Sequence, residues 1–376
     1  MNPKIISWAR ERAGLSIEDL AGKMGRDPEE IRSWEKGDEV PSYPVLEQLA
    51  YKYLKVTLAV FFFPEPPEIE DPIRHFRRLS DHELTRLSSD TRQKIRLAQA
   101  YQESLAELLE GFSKEKVISR DLSPQEMGPS EFAVIARKYF GIDLNQQFSF
   151  RSSESAFKAW RHSLEDASIF TFKDSFEDRF ISGFSLLDGE YPVIFVNNSN
   201  AFSRQLFTLI HELGHILYGV SGITDFDESY INFMANSDRH LETRCNKFAS
   251  HFLVPEESFT EDIRLYKTAG PESISGIADK YSVSREVILR RLLDHNVVTK
   301  EYYETKANQW NRDYFGRGKK GRGGGDFYLT RLAYLGEGYT KIAFENYHRG
   351  RLTETELGYH LNINSKNLAK FQGYLR

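Results

Sequence analysis

The stretch FTLIHELGHILYG, residues 207–219, sets two histidines four apart, with a glutamate directly after the first. At about 100° per residue of α-helix, His211 and His215 lie about 40° apart on one face. That is close enough for both imidazoles to ligate one zinc ion. Glu212 falls on the same side, where it does not easily join the ligands but reaches a water on the metal. Zinc lowers the pKa of such a water to about 7. Glu212 would then take the proton as general base and later protonate the leaving amine of a cleaved peptide.

The opposing reading is a buried helix with two satisfied histidines, since ten histidines and 55 acidic residues allow an occasional chance match. A metal site also needs a third ligand. The solution with a histidine six residues on fails, because Tyr218 and Ser221 stand where glycine and histidine are required. The run HLETRCNKFASHFLVP, residues 240–255, offers a carboxylate instead. On a helix Glu242, Asn246, Ala249 and Leu253 share a stripe, whereas His251 and His240 fall about 180° and about 160° from Glu242. A solvated carboxylate near a helix start is the alternative for Glu242.

The elements that must position these residues are legible around them. SIFTF, FISGFSL and PVIFVN, within residues 168–197, alternate or run β-branched and aromatic between polar turns, and predict strands of a small sheet. The helical period resumes in RQLFTLIHELGHILYG, so the motif sits on a helix that follows a strand. A strand beside the metal, with VIFVN as the candidate, would hold an extended substrate by strand addition. Tyr218, Tyr230 and His240 are candidate oxyanion stabilisers.

Residues 1–56 read as a run of short helices. Ser16 and Asp19 form a capping box, Asp27, Pro28 and Glu30 a second start signal, and Gly37 a stop. SIEDLAGKM and DPEEIRSWEK, joined by a tight turn, have helix-turn-helix spacing with Leu20, Ala21, Ile31 and Trp34 inward. They resemble the xenobiotic-response-element type of helix-turn-helix domain, including its SWEKG ending; a plain helical bundle is the alternative. Residues 27–36 hold four acids against Arg32 and Lys36. Outward Glu29, Glu30, Arg32 and Ser33 make a poor surface for phosphates, so a protein partner is at least as good a reading as DNA.

PEPPEIEDPIRHF, residues 64–76, marks a seam, and SSDTRQKIRLAQAYQESLAELLEGF predicts a connecting helix without chemistry. A second helical pair, ESISGIADKY and SREVILRRLLDH, is capped by Ser284. Arg285, Arg290 and Arg291 are its candidate nucleic-acid contacts, although Leu289, Leu292 and Leu293 favour packing on the domain that holds the histidine motif. GRGKKGRGGG, residues 316–325, contains only Gly, Lys and Arg. It reads as a flexible cationic loop, with Arg317, Lys319, Lys320 and Arg322 as candidate contacts to nucleic acid or an acidic partner. The remainder is helical, with another capping box at Thr353 and Glu356.

A chain of 376 residues is long for one core, and 40% hydrophobic with 13% aromatic residues is a globular composition. A net charge of −5 argues against a whole surface adapted to nucleic acid and leaves only local patches. The single cysteine, Cys245, excludes an intrachain disulfide and fits a reducing compartment. The N-terminus is charged where a signal peptide needs an apolar run, and VTLAVFFF is too short to span a bilayer. A cytoplasmic protein without membrane contact is expected.

FTLIHELGHIL followed by ETRCNKFASHFLVP resembles the ImmA/IrrE family of bacterial and phage metallopeptidases, whose pattern is a zincin helix and a later Glu-x-x-Ala-Asn-x-Phe-Ala stretch. The resemblance implies Zn2+ as cofactor, His211, His215 and Glu242 as ligands, and Glu212 as catalytic base. Cys245 departs from the family's usual alanine. ISGFSL and YPVIFVN match strands that precede the zincin helix, and several relatives carry the same kind of N-terminal helix-turn-helix, so the likeness covers most of the chain. The family also implies a narrow substrate range, a repressor or antitoxin.

The expected fold is mainly α with a small α+β zincin-like peptidase domain, in a multidomain chain. The expected divisions are a helix-turn-helix domain at 1–64, a linker and connecting helix at 65–115, a peptidase with helical extension at 116–300, and a C-terminal basic loop and helical region at 301–376. The expected function is a regulatory zinc endopeptidase that cleaves a specific partner protein such as a repressor or antitoxin in a stress, prophage or toxin-antitoxin setting, with a toxin or repressor, and DNA, as candidate partners. The alternative is a helix-turn-helix antitoxin or transcription regulator whose metal site is structural or seldom active. Glu212 favours the enzyme, since a structural site has no need of it.

Overall fold

A computed structural model describes residues 1–67, 87–111, 121–122, 124, 127–178, 181–187, 189–225, 236–316 and 325–375. Most of the proline-rich seam, Tyr230, and the basic loop residues Arg317, Lys319, Lys320 and Arg322 lie outside the described residues. The chain divides into two compact units, Met1–Gln99 and Ala100–Arg376.

Local start and stop signals build the first unit. Asn2 caps α1 (Pro3–Arg12), Ser16 and Asp19 close the capping box of α2 (Ile17–Met24), and Asp27 caps α3 (Pro28–Lys36). Gly25 and Gly37 end α2 and α3 in the left-handed conformation. α4 (Tyr43–Gln48) follows and runs into a π turn, Leu49–Leu54. Ile5, Ile6, Ala9, Leu20, Ala21, Ile31, Trp34 and Leu49 form the buried core, the inward face expected of a helix-turn-helix. Arg10 clamps Glu35 through two nitrogens at 2.6 and 2.9 Å.

α5 (Ser89–Leu108) crosses the boundary between the units. Beyond it come α6 (Pro129–Phe140), α7 (Leu144–Phe148), α8 (Ser153–Asp166), strands β1 (Phe170–Asp174), β2 (Ile181–Leu186) and β3 (Val193–Asn197), α9 (Phe202–Leu217), β4 (Gly222–Asp225) and α10 (Asn236–Leu253). α11 (Glu256–Ala269), α12 (Ser273–Tyr281), α13 (Arg285–Asp294), α14 (Lys300–Gly316), α15 (Phe327–Leu335), α16 (Glu337–His348), α17 (Glu354–Leu361) and α18 (Leu368–Gln372) complete the chain. The fold is mainly α with one small mixed sheet.

The strands lie in the order β1-β3-β2-β4, with β1 parallel to β3 and the other pairs antiparallel. VIFVN is β3 and has a partner on each side, so the expectation that it receives an extended substrate is corrected. Its backbone groups are already used by β1 and β2, and among the described residues β4 is the sheet edge near the motif helix. Strand alternation sorts the two faces. Phe172, Phe195 and Phe184 stand in register; Phe184 stacks on Phe195 at 5.2 Å, and Phe172 meets Tyr101 and Tyr339 at 4.2 and 5.1 Å. On the other face Ile194 and Val196 join the core formed with α8, α9 and α10. Each such buried aromatic or aliphatic side chain contributes about 1.5–3 kcal/mol. Arg161 of α8 is itself buried; it pairs with Glu165 at 3.0 Å and donates to the carbonyls of Thr171 and Ala333, fastening α15 to β1. Among the described residues no helix is long and apolar enough to cross a membrane.

Lys173 of β1 is 5% exposed, with its ammonium 4.8 Å from the rings of both Phe157 and Phe202. Burial, reinforced by the charge of Arg161, pushes its pKa down to about 7. An unfolded lysine keeps its proton to about pH 10.4. The unfolded state therefore binds more protons between those limits, so the penalty is complete below about pH 7 and is relieved as pH rises. Lys173→Met should raise Tm over wild type most at pH 7 and below, and the gap should close toward pH 10, as read by paired calorimetric scans.

Candidate metal centre

α9 is buried along most of its length, between the sheet on one side and α8 and α10 on others. This explains its nearly all-round apolar sequence and makes its polar members conspicuous. His211, Glu212 and His215 are at most 1% exposed. α10 approaches α9 closely: a Cβ on Gly214 would lie 3.2 Å from the Phe248 ring and 3.5 Å from Cys245.

Through that approach Glu242 reaches both imidazoles. Its Oε1 lies 3.0 Å from His215 Nε2 and its Oε2 lies 3.2 Å from His211 Nε2. The two Nε2 atoms are 3.0 Å apart. Among the described residues, His211, His215 and Glu242 are the one cluster whose ligand atoms all fall within 4.8 Å of one another. Asn246 Oδ1 stands 2.9 Å from His211 Nδ1. An amide oxygen only accepts, so Nδ1 carries the proton and Nε2 turns a lone pair into the cluster. Burial disfavours charge on Glu242, but the imidazoles of His215 and His211 hold its carboxyl below the usual range, and it enters as carboxylate. Convergent lone pairs and a buried carboxylate suit a cation between them, and two nitrogens with one oxygen suit Zn2+.

β2 and β4 complete the surroundings. Ser185 of β2, fully buried, donates to Glu212 Oε2 at 2.7 Å and accepts the Gly222 N–H at 3.3 Å. Glu212 stands outside the donor cluster. Gly222 lies against the His215 ring, where a Cβ would come within 2.5 Å of Cγ, so no side chain fits there. Tyr218 lies at the end of α9 with Arg244 4.5 Å over its ring, and His240 is exposed.

The basic candidates are dispersed. Arg291 is 1% exposed, donates to Glu256 at 2.6 Å and reaches His251 Nε2 at 2.9 Å. Its guanidinium fastens α13 to α10 and α11, which corrects its reading as a nucleic-acid contact: a buried, paired charge presents nothing to a phosphate. Arg285 lies 4.7 Å over Trp310, while Arg290 pairs with Asp294 at 3.8 Å and covers Tyr303. Arg32 is tied to Glu18 at 2.6 Å and to Glu29, and Ser33 is half-buried. Sequence reasoning assigned no task to two neighbours of the cluster. Asn246 shares the stripe of Glu242, one turn on, so its signal was present; Ser185 looks like any polar residue in an alternating strand.

Residues 164–293, which hold the sheet, α9 and α10, match the Peptidase_M78 family, described as the IrrE N-terminal-like domain. This segment is similar to the IrrE-like peptidase domain. Residues 7–54 match a helix-turn-helix domain. The radiation response metalloprotease IrrE of Deinococcus radiodurans is 31% identical over 113 residues, covering 30% of this chain and 34% of the relative. The chain thus spans about a third of that relative's length. The match to the IrrE-like domain contains all four residues His211, Glu212, His215 and Glu242.

Asn246→Leu removes the acceptor that fixes His211 and should weaken zinc binding about 10–100-fold. His211→Ala should abolish stoichiometric binding, with wild type holding about one zinc per chain. Chelator competition and elemental analysis read both, and full occupancy in the His211 variant would remove it from the ligand set.

Proposed function

We propose that this chain is a zinc-dependent endopeptidase that cleaves a specific partner protein, a repressor or antitoxin, in a stress, prophage or toxin-antitoxin setting within the cytoplasm. One arrangement carries the reading: Glu212 is held by Ser185 beside the His211, His215 and Glu242 cluster without belonging to it. A closed structural zinc site fills its fourth position with protein and has no use for a base. Zn2+ held by these three residues supplies Lewis-acid polarisation of the peptide carbonyl and of water.

Within that frame the protein's own groups have distinct tasks. Glu212 accepts a proton from water and returns it to the leaving amine. Ser185 keeps the carboxylate aimed, and Asn246 holds the His211 tautomer that ligation requires. β4 offers its outer backbone edge to an extended substrate. Because Gly222 touches the His215 ring, a peptide added there runs beside the metal ligands. The IrrE-like match and the metalloprotease name of the Deinococcus relative support the reaction class, and the ImmA/IrrE resemblance supports the narrow substrate. The N-terminal helix-turn-helix docks a protein: exposed Glu29 faces outward and Arg32 is neutralised by Glu18 and Glu29.

The alternative, a regulator with a structural metal site, predicts no cleavage by wild type, whereas the peptidase reading predicts cleavage that depends on Glu212. Glu212→Gln should retain zinc but cleave at least about 100-fold more slowly. Purified wild type and variant, each incubated with the regulators encoded beside this gene and followed by mass spectrometry, supply the comparison. Equal cleavage rates would remove Glu212 from the mechanism, and no cleavage by wild type would favour the regulator.

A further inference from the structure

The second unit closes with a copy of the local code that opens the first. Thr353 and Glu356 form a capping box on α17, as Ser16 and Asp19 do on α2. Leu357 and Leu361 stand where α2 has Leu20 and Met24, and left-handed Asn362 (φ 48°) ends α17 where left-handed Gly25 (φ 66°) ends α2. Asn364 then caps the next segment by accepting from the N–H two residues on, as Asp27 does. That segment, a 3-10 turn Ser365–Asn367 continued by α18, buries Leu368 and Phe371 where α3 buries Ile31 and Trp34. One constant offset relates every pair, so the two stretches match without a gap. Ala21 corresponds to Gly358, where a Cβ would fall 2.7 Å from the Ile363 carbonyl, a close helix-to-turn approach. α1 precedes the first pair and α16 the second. The pattern is a helix-turn-helix, twice.

The outward faces differ in charge. Where α3 shows Glu29, Glu30 and Ser33, the second copy has Lys366, Asn367 and Lys370, both lysines exposed. Residues 349–372 hold four cations and two acids, whereas the matching residues 12–35 hold four cations and six acids. The Lys370 ammonium lies 4.9 Å over the Tyr328 ring. Neighbouring Asp326 is engaged in capping α15 and in accepting from Tyr374 at 2.7 Å.

We infer that residues 353–372 form a DNA-binding helix-turn-helix in which the Ser365–Gln372 segment enters the major groove of duplex DNA. Lys366 and Lys370 meet phosphates, while Ser365 and Asn367, at the leading end of that segment, face base edges. This assignment involves no cleavage and stands apart from the peptidase reading.

The test titrates the full-length protein into a fluorescently labelled mixed-sequence duplex of about 24 base pairs, by anisotropy, between about 50 and about 200 mM salt. Wild type should bind in the micromolar range at the lower salt. Lys366→Glu with Lys370→Glu should weaken binding at least about tenfold and reduce the salt slope by about 2, since each phosphate contact contributes about 1. Arg32→Ala should leave affinity within about twofold. Both lysines are exposed, so the double variant should melt like wild type; the milder pair Lys366→Gln and Lys370→Gln should weaken binding in the same direction. Absence of wild-type binding at low salt, unchanged affinity in both lysine pairs, or an Arg32→Ala loss equal to theirs would overturn the assignment.

Discussion

Glu242 reaches two imidazoles of another helix because α9 and α10 meet at Gly214, where any side chain would press on Phe248 and Cys245. A carboxylate and two histidines gathered in a buried contact carry a desolvation cost that a bound cation offsets. The surrounding fold must therefore hold α10 in place whether or not its charges are satisfied. Phe248 and Phe252 do so by packing on Phe132 at 5.7 Å and on Trp160 at 4.8 Å. The end of α10 is tied as well: Arg137 donates to the Phe252 carbonyl and Gln147 to that of Leu253, each at 2.9 Å. These are orphan carbonyls of a helix terminus, met by side chains of α6 and α7.

The sheet serves the same centre from the opposite side. Along β2, alternation turns Phe184 toward the aromatic face with Phe195 and turns Ser185 toward α9. One strand thus contributes both to the core and to the orientation of Glu212. Ser185 also accepts the Gly222 N–H, so the position of the β4 edge and that of the Glu212 carboxylate are coupled through one hydroxyl. A strand added to β4 would be registered against the Glu212 carboxylate.

Charge is distributed by a similar economy. Buried arginines hold elements together: Arg161 joins α8, β1 and α15, and Arg291, a candidate contact in the sequence, joins α13 to α10 and α11. Planar, multiply donating guanidinium groups suit such work, because each satisfies several acceptors at once. The two stretches share the positions of their inward apolar residues and caps but carry opposite net charge, so similar local folding serves surfaces of different chemistry.

Much of this was written locally. The spacing of His211 and His215, the stripe through Glu242 and Asn246, the strands before α9, and the capping boxes at Ser16 and Thr353 follow from helical and strand periods acting over a few residues. Those periods say which face a residue occupies, and that was enough to single out His211, His215 and Glu242 as candidates for one cluster. They do not say which element lies opposite. The order β1-β3-β2-β4, which places VIFVN inside the sheet, came from pairing between distant segments. The hydrogen bond from Ser185 to Glu212, across 27 residues of sequence, and the burial of Arg291 against Glu256 came from packing of the same kind. Such contacts depend on how closely whole elements approach, which is set by small residues such as Gly214 and Gly222 meeting particular partners, and no single-segment pattern records that partner.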